Sequence, residues 1–210
     1  MTMVKRLLIL VGLLAAGVLL IAGAQEEWTP TVVISEIAWS GTAAHYTDEW
    51  LELYNTTDED IDLSGWTLTW GEGDVTIYFD EAQGNTKEVR SSVIPAHGFY
   101  IMERTDDDAI SDIAADLIYK GTLDNAGELL ILKDAEGNLI DTANIAGAEW
   151  PAGTGRDGEP PYASMERIDP LVKDSSDNWG TNDGEHRNGL DAAENPINGT
   201  PGRPNSMWSE

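Results

Sequence analysis

Residues 66–70 read Trp-Thr-Leu-Thr-Trp. A strict two-residue alternation sets Trp66, Leu68 and Trp70 on one side of an extended chain and both threonines on the other, which a helix cannot do. The same short-period texture recurs along most of the chain. Val32-Val33-Ile34 opens a β-rich run ending near the Ser40-Gly41 turn, and Glu49–Tyr54 alternates leucines with aromatic and acidic residues. Further strands are predicted at Val75–Phe79, Phe99–Met102, Glu128–Lys133 and Asn138–Thr142, the last two flanking a hairpin turn at Asp134-Ala135-Glu136-Gly137. Asp106–Ala115 is the one segment that reads as a helical turn, and a short one. No sustained helical periodicity, heptad or internal repeat is present. Many short strands between frequent turn signals predict an all-β antiparallel β-sandwich.

The texture changes at both ends. Lys5 and Arg6 precede an apolar run from Leu7 to Ala22, and Ala22-Gly23-Ala24 has the small-x-small form of a signal-peptidase site. Residues 1–24 are therefore expected to be a signal helix cleaved before Gln25. The alternative is an uncleaved membrane anchor, since the apolar stretch is near the lower length limit for spanning a bilayer. Residues 25–30 read as a tether, 31–149 as the sandwich core and 207–210 as a tail. Residues 150–206 read as a loop-rich closing part of the same domain, holding seven of the nine prolines and one predicted strand at Tyr162–Arg167.

With 38 acidic residues against 12 basic ones, the formal charge is −26. A field of that sign repels phosphate backbones and argues against direct nucleic-acid binding. Cysteine is absent, so no disulfide supports the fold.

Taken in order, several of these segments resemble one family. Glu49-Trp50-Leu51-Glu52-Leu53-Tyr54-Asn55, followed by Ile61-Asp62-Leu63-Ser64-Gly65-Trp66-Thr67-Leu68, looks like the signature of the lamin tail domain. Ile94–Ile101 resembles its turn-then-strand element, Leu123–Glu128 leading to Asp141 its last hairpin, and Thr200–Asn205 its closing turn. The resemblance implies an immunoglobulin-like sandwich without common catalytic residues, and points to the family's prokaryotic exported branch. The filament-forming branch carries a coiled-coil rod that this chain lacks, so filament assembly and chromatin binding are not carried over.

Several residues invite a chemical reading. Trp50, Glu52 and Tyr54 share the face opposite Leu51 and Leu53. If the leucines face the second sheet, the other three form either a solvent-facing strip or a ligand platform, rings stacking on a sugar while Glu52 accepts its hydroxyls. Glu36, Glu49 and Glu52 could converge on one cation, or act as an acid–base pair in a small hydrolase. Asp174, Asp177, Asn178, Asn182, Asp183 and Glu185 lie in a segment of little regular structure that a calcium ion would order. No other cofactor is expected. Asn55-Thr56-Thr57 and Asn198-Gly199-Thr200 fit the glycosylation sequon. His45, His97 and His186 are far apart, and no nucleophile elbow, phosphate loop or zinc-binding helix motif is present.

The expectation is an exported, non-catalytic module that binds a surface protein or glycan, secreted or on the cell surface. It would touch a membrane only through an uncleaved N-terminal segment. The alternatives are the small hydrolase and a structural envelope or matrix component.

Overall fold

The computed structural model describes residues 29–208. The predicted signal segment and most of the tether lie outside the described residues. Among the described residues no helix is long and apolar enough to cross a membrane.

The described residues form thirteen strands: β1 (Val32–Ala38), β2 (Trp50–Asn55), β3 (Ile61–Asp62), β4 (Thr67–Trp70), β5 (Val75–Tyr78), β6 (Thr86–Val89), β7 (Val93–Ile94), β8 (Phe99–Arg104), β9 (Leu117–Tyr119), β10 (Leu130–Lys133), β11 (Leu139–Ala143), β12 (Met165–Arg167) and β13 (Trp179–Thr181). One sheet runs β13-β12-β1-β2-β8-β9-β6, the facing sheet β11-β10-β4-β5, and β3 and β7 form a small ribbon. All pairings are antiparallel except β8 with β9. The all-β sandwich predicted from alternation is thus present. Asp106–Ala115 is not helical; it is a succession of turns and bends. Its amides are held by carboxylates instead, Glu103 accepting from Ala109 N–H and Asp107 from Ala115 N–H.

The alternation has the consequence expected of a pleated sheet. Leu51 and Leu53 of β2 and Tyr100 and Met102 of β8 point into the sandwich, where they meet Leu68, Trp70, Ile77, Leu130 and Leu132 of the facing sheet in one core. One corner is closed by Thr86, whose hydroxyl bonds both Tyr78 N and Tyr78 O. The opposite corner is closed by a buried ion pair. Arg167 of β12 donates to Asp141 of β11, to Ile34 O and to Thr142 O, while Asp141 also accepts Ile34 N–H.

The other face of the seven-stranded sheet departs from the open surface expected of such a sandwich. A second apolar cluster, with Trp50, Ile101, Ile110, Ile118 and Ile197 among its members, forms there. Residues 182–208 run across this face as a strap. Asn205 donates to Ser35 O and Arg167 O, and Trp208 packs on Tyr54 and Phe99 at ring-centroid distances of 4.8 and 6.2 Å.

Candidate functional site

Under the strap, three glutamates stand in a row. Glu36 on β1, which lies between β2 and β12, is the cross-strand partner of both Glu52 on β2 and Glu166 on β12. Side chains at directly paired positions share a face and approach within about 5 Å at Cβ. The register slips between Ile34 and Glu36, a bulge that adds Ser35 to the same face. All three carboxyl-bearing residues are fully buried.

Their oxygens are held by hydroxyls, amides and backbone. Glu36 Oε1 accepts Ser164 O–H and, at 2.9 Å, Thr200 N–H. Glu52 accepts Ser35 O–H at 2.9 Å and Gly202 N–H at 2.6 Å. Glu166 accepts Asn182 Nδ2–H at 2.7 Å and Ser206 O–H. Thr200 Oγ1 lies 3.0 Å from Glu36 Oε2 and 3.0 Å from Glu166 Oε1. No lysine or arginine is among these partners; Arg167, next to Glu166, points to the opposite face and Asp141. Burial, then the neighbouring Glu166, pushes Glu36 up to about 8. Burial likewise holds Glu52 well above the usual carboxylate range and raises Glu166.

These positions correct part of the sequence reading. Trp50 and Glu52 are sealed beneath the strap and form no open platform; only Tyr54 of the three is partly exposed, and its ring meets Phe99 and Trp208. Glu36 and Glu52 do converge, but Glu49 sits elsewhere, and Glu166 takes the third place. Glu166 had a readable signal. Adjacent Glu166 and Arg167 in a strand must point to opposite faces, so one charge had to lie under whatever covers the sheet.

The proposed calcium donors are dispersed. Asp174 accepts from Thr142 O–H, Ile145 N–H and Trp179 Nε1–H, and Asp183 from the amides of Glu185 and His186. Asn182 bonds the carboxyl cluster, Asn178 is buried against the 169–173 loop, and Asp177 and Glu185 are exposed apart from it. Among the described residues no group of three or more His, Asp or Glu is arranged to hold a metal. Asn55 is fully buried, its amide donating to Glu59 O, Ile94 O and Pro95 O, so the first sequon is closed to modification in the folded protein. Asn198 is half-buried and donates to Pro161 O.

Glu49 belongs to a separate, open recess of about 650 Å³ at one end of the sandwich, lined by Tyr46, Thr47, Glu49, Arg104, Asn125 and Glu128 among others. Glu49 accepts from Arg104 at 2.8 Å and from Leu123 N–H at 2.9 Å, and burial nevertheless lifts it to about 7. Tyr46 is 70% exposed, its ring stacked on His45 at 4.6 Å. A second recess of about 620 Å³ adjoins across Glu128, over Thr69, Leu129, Ile131 and the backbone of Gly71 and Gly73. The buried Oε2 of Glu128 has no hydrogen-bond partner.

A family model for the Lamin Tail Domain matches residues 25–147, more than half of the chain. The chain belongs to the lamin tail domain family. The lamin tail domain is a non-catalytic immunoglobulin-like module, in keeping with the two packed sheets. The match takes in Glu36, Glu49 and Glu52. It ends before Glu166 and the strap, so the carboxyl row is completed by residues outside the matched segment. No protein of curated function matches the chain.

Proposed function

We propose that this lamin tail domain is an exported, non-catalytic binding module of the prokaryotic branch, acting at the cell surface or outside the cell. The observation that carries this reading is the pair of open recesses meeting at Glu128. An exposed aromatic ring, hydrogen-bonding carboxylates and an asparagine share a concave surface there, the combination that holds a polyhydroxylated ligand such as a glycan by stacking and hydrogen bonding. A hydrolase is disfavoured because Glu36 and Glu52 are sealed from any substrate, and Glu49, in the open recess, is held by Arg104 and Leu123 N–H.

The reading is tested on a glycan array, followed by NMR titration of each hit. Binding should shift resonances of Tyr46, Asn125 and Glu128, and Tyr46→Ala should weaken it about three- to tenfold, the worth of one ring contact. An array without a hit, or hits whose shifts map to another face, would sink it.

A further inference from the structure

The hydrogen bonds around Thr200 do not balance if the three buried glutamates are all ionised. A hydroxyl carries one hydrogen, yet Thr200 Oγ1 lies at bonding distance from both Glu36 Oε2 and Glu166 Oε1. With both carboxylates charged, one contact would set lone pair against lone pair in a buried site whose hydrogen-bond partners include no lysine or arginine. The neighbours say where a proton must sit. Glu36 Oε1 already accepts two donors, Ser164 O–H and Thr200 N–H. Glu166 Oε1 accepts Asn182 Nδ2–H, and Oε2 accepts Ser206 O–H. Glu36 Oε2 alone in this set has no donor other than Thr200.

We propose that Glu36 keeps its proton in the folded protein at neutral pH, and that the chain Glu36 Oε2–H to Thr200 Oγ1, then Thr200 O–H to Glu166 Oε1, latches the strap onto the sheet. Removing that proton leaves a further anion buried beside Glu166 and turns one bond of the latch into a contact between lone pairs, so the strap opens as pH rises. The groups around the site offer no substitute charge. From β2 comes Glu52, itself an acid; from β8, Ile101 at the position paired with Glu52; from β13, Gly180 opposite Glu166. Glu103, further along β8, is turned to Ala109 N–H. From the strap, the exposed His186 pairs through Nδ1 with Asp183, whose hydrogen bond raises its pKa with a smaller contribution from Glu166, and Arg187 donates to Asn198. The tight fit makes the latch responsive: a Cβ on Gly199 would stand 2.8 Å from Glu36 Oε1 and 2.8 Å from the Trp50 ring, leaving no room for water to solvate a new anion.

The test uses the intact chain, with glutamate side-chain carboxyls labelled with carbon-13 and followed by NMR from pH 5 to 10. Glu36 should remain protonated at pH 7. The protection factors of the Thr200 and Gly202 amides, corrected for intrinsic exchange, should fall by up to about tenfold per pH unit between the ordinary carboxyl value of 4.5, regained when the strap opens, and the raised folded value, and level off above it, the slope for loss of one proton on opening. Glu36→Gln reproduces the protonated pattern, its carbonyl accepting from Ser164 and Thr200 N–H and its amide donating to Thr200 Oγ1. It should fold and hold those protection factors level to pH 9. Glu36 ionised at pH 7 in the folded wild type would overturn the proposal. So would strap protection that falls equally in wild type and Glu36→Gln, or a Glu36→Gln chain that fails to fold while Glu36→Asp folds.

Discussion

Gly199 shows how closely one residue can set the packing of this molecule. Its backbone angles are ordinary, so the requirement for glycine is one of space: any side chain meets the Glu36 carboxyl and the Trp50 ring. Gly199→Ala should cost about 1–3 kcal/mol, the usual penalty for overfilling a packed site. Urea unfolding would register that cost as a lower midpoint at unchanged slope, and an unaltered midpoint would mean that the strap stands further from the sheet. Arg167 is the second such residue. It is fully buried, lies 4.8 Å from the centroid of the Trp179 ring and bridges β1, β11 and β12. Truncating one partner of a buried pair strands the other, so Arg167→Met should lose about 3–5 kcal/mol. Asp141→Asn should lose less, because the amide oxygen still accepts Ile34 N–H. Equal losses in the two variants would contradict this account. The carboxyls of Glu36 and Glu52 were legible as strand-borne acids, but not as buried ones. Period-two alternation separates the faces of a strand without stating what covers the second.

At the scale of elements, the strap does for the outer face what the four-stranded sheet does for the inner one. Its far end is fixed by Trp208, which packs on Tyr54 and Phe99 and donates from Nε1 to Arg167 O. Trp208→Ala should lower stability by about 1–2 kcal/mol through the lost aromatic contacts. Limited proteolysis should then cut within 182–206 first, and initial cleavage in the β10–β11 hairpin would argue against the strap's being the element released. The strands β1, β2, β4, β5, β8, β10 and β11, rich in β-branched, aromatic or leucine residues and bounded by turn signals, were all visible in the sequence. Those missed, β3, β6, β7, β9 and β13, are two to four residues long. Such segments are too short to show a period, and they exist because a neighbouring edge offers unpaired backbone. The Tyr162–Arg167 prediction shrank to Met165–Arg167 for a local reason. Tyr162 sits at a φ of 52°, outside the extended region.

For the whole molecule, acidity works in two opposed settings. Exposed carboxylates keep the chain soluble but repel one another, so added salt should raise the melting temperature by screening; a midpoint that falls with salt would show attractive pairs to dominate. Buried carboxyls act through protonation. Glu36 and Glu103 are lifted to about 8 and Glu49 to about 7, in each case chiefly by burial. A carboxyl whose folded pKa lies above its unfolded value contributes stability that is fully present below about 4.5 and is lost as pH rises through the folded pKa. Unfolding free energy should therefore decline between about pH 4.5 and 8, by up to about 1.4 kcal/mol per pH unit for each carboxyl that only the folded state keeps protonated. Denaturant midpoints at pH 5, 7 and 9 check this, and a midpoint that rises across that range would refute it. Asp62 and Asp183, both exposed, and the half-buried Asp134 are lowered by local hydrogen bonds, and their opposite contribution falls on the acid side of this window.

The sequence by itself determined the class of fold. Alternation is a local property of a pleated chain, and the leucines of β2 could face only another apolar layer. It also determined family membership, through segments that match in order. Which carboxylates meet was decided only by tertiary structure. The register that places Glu36 between Glu52 and Glu166, and the return of residues 182–208 over them, join positions up to 170 residues apart. The physical reason is that a strand's second face has no preference of its own. It is wet or buried according to whether distant chain returns to cover it, and here that return turned three surface-patterned acids into a buried row.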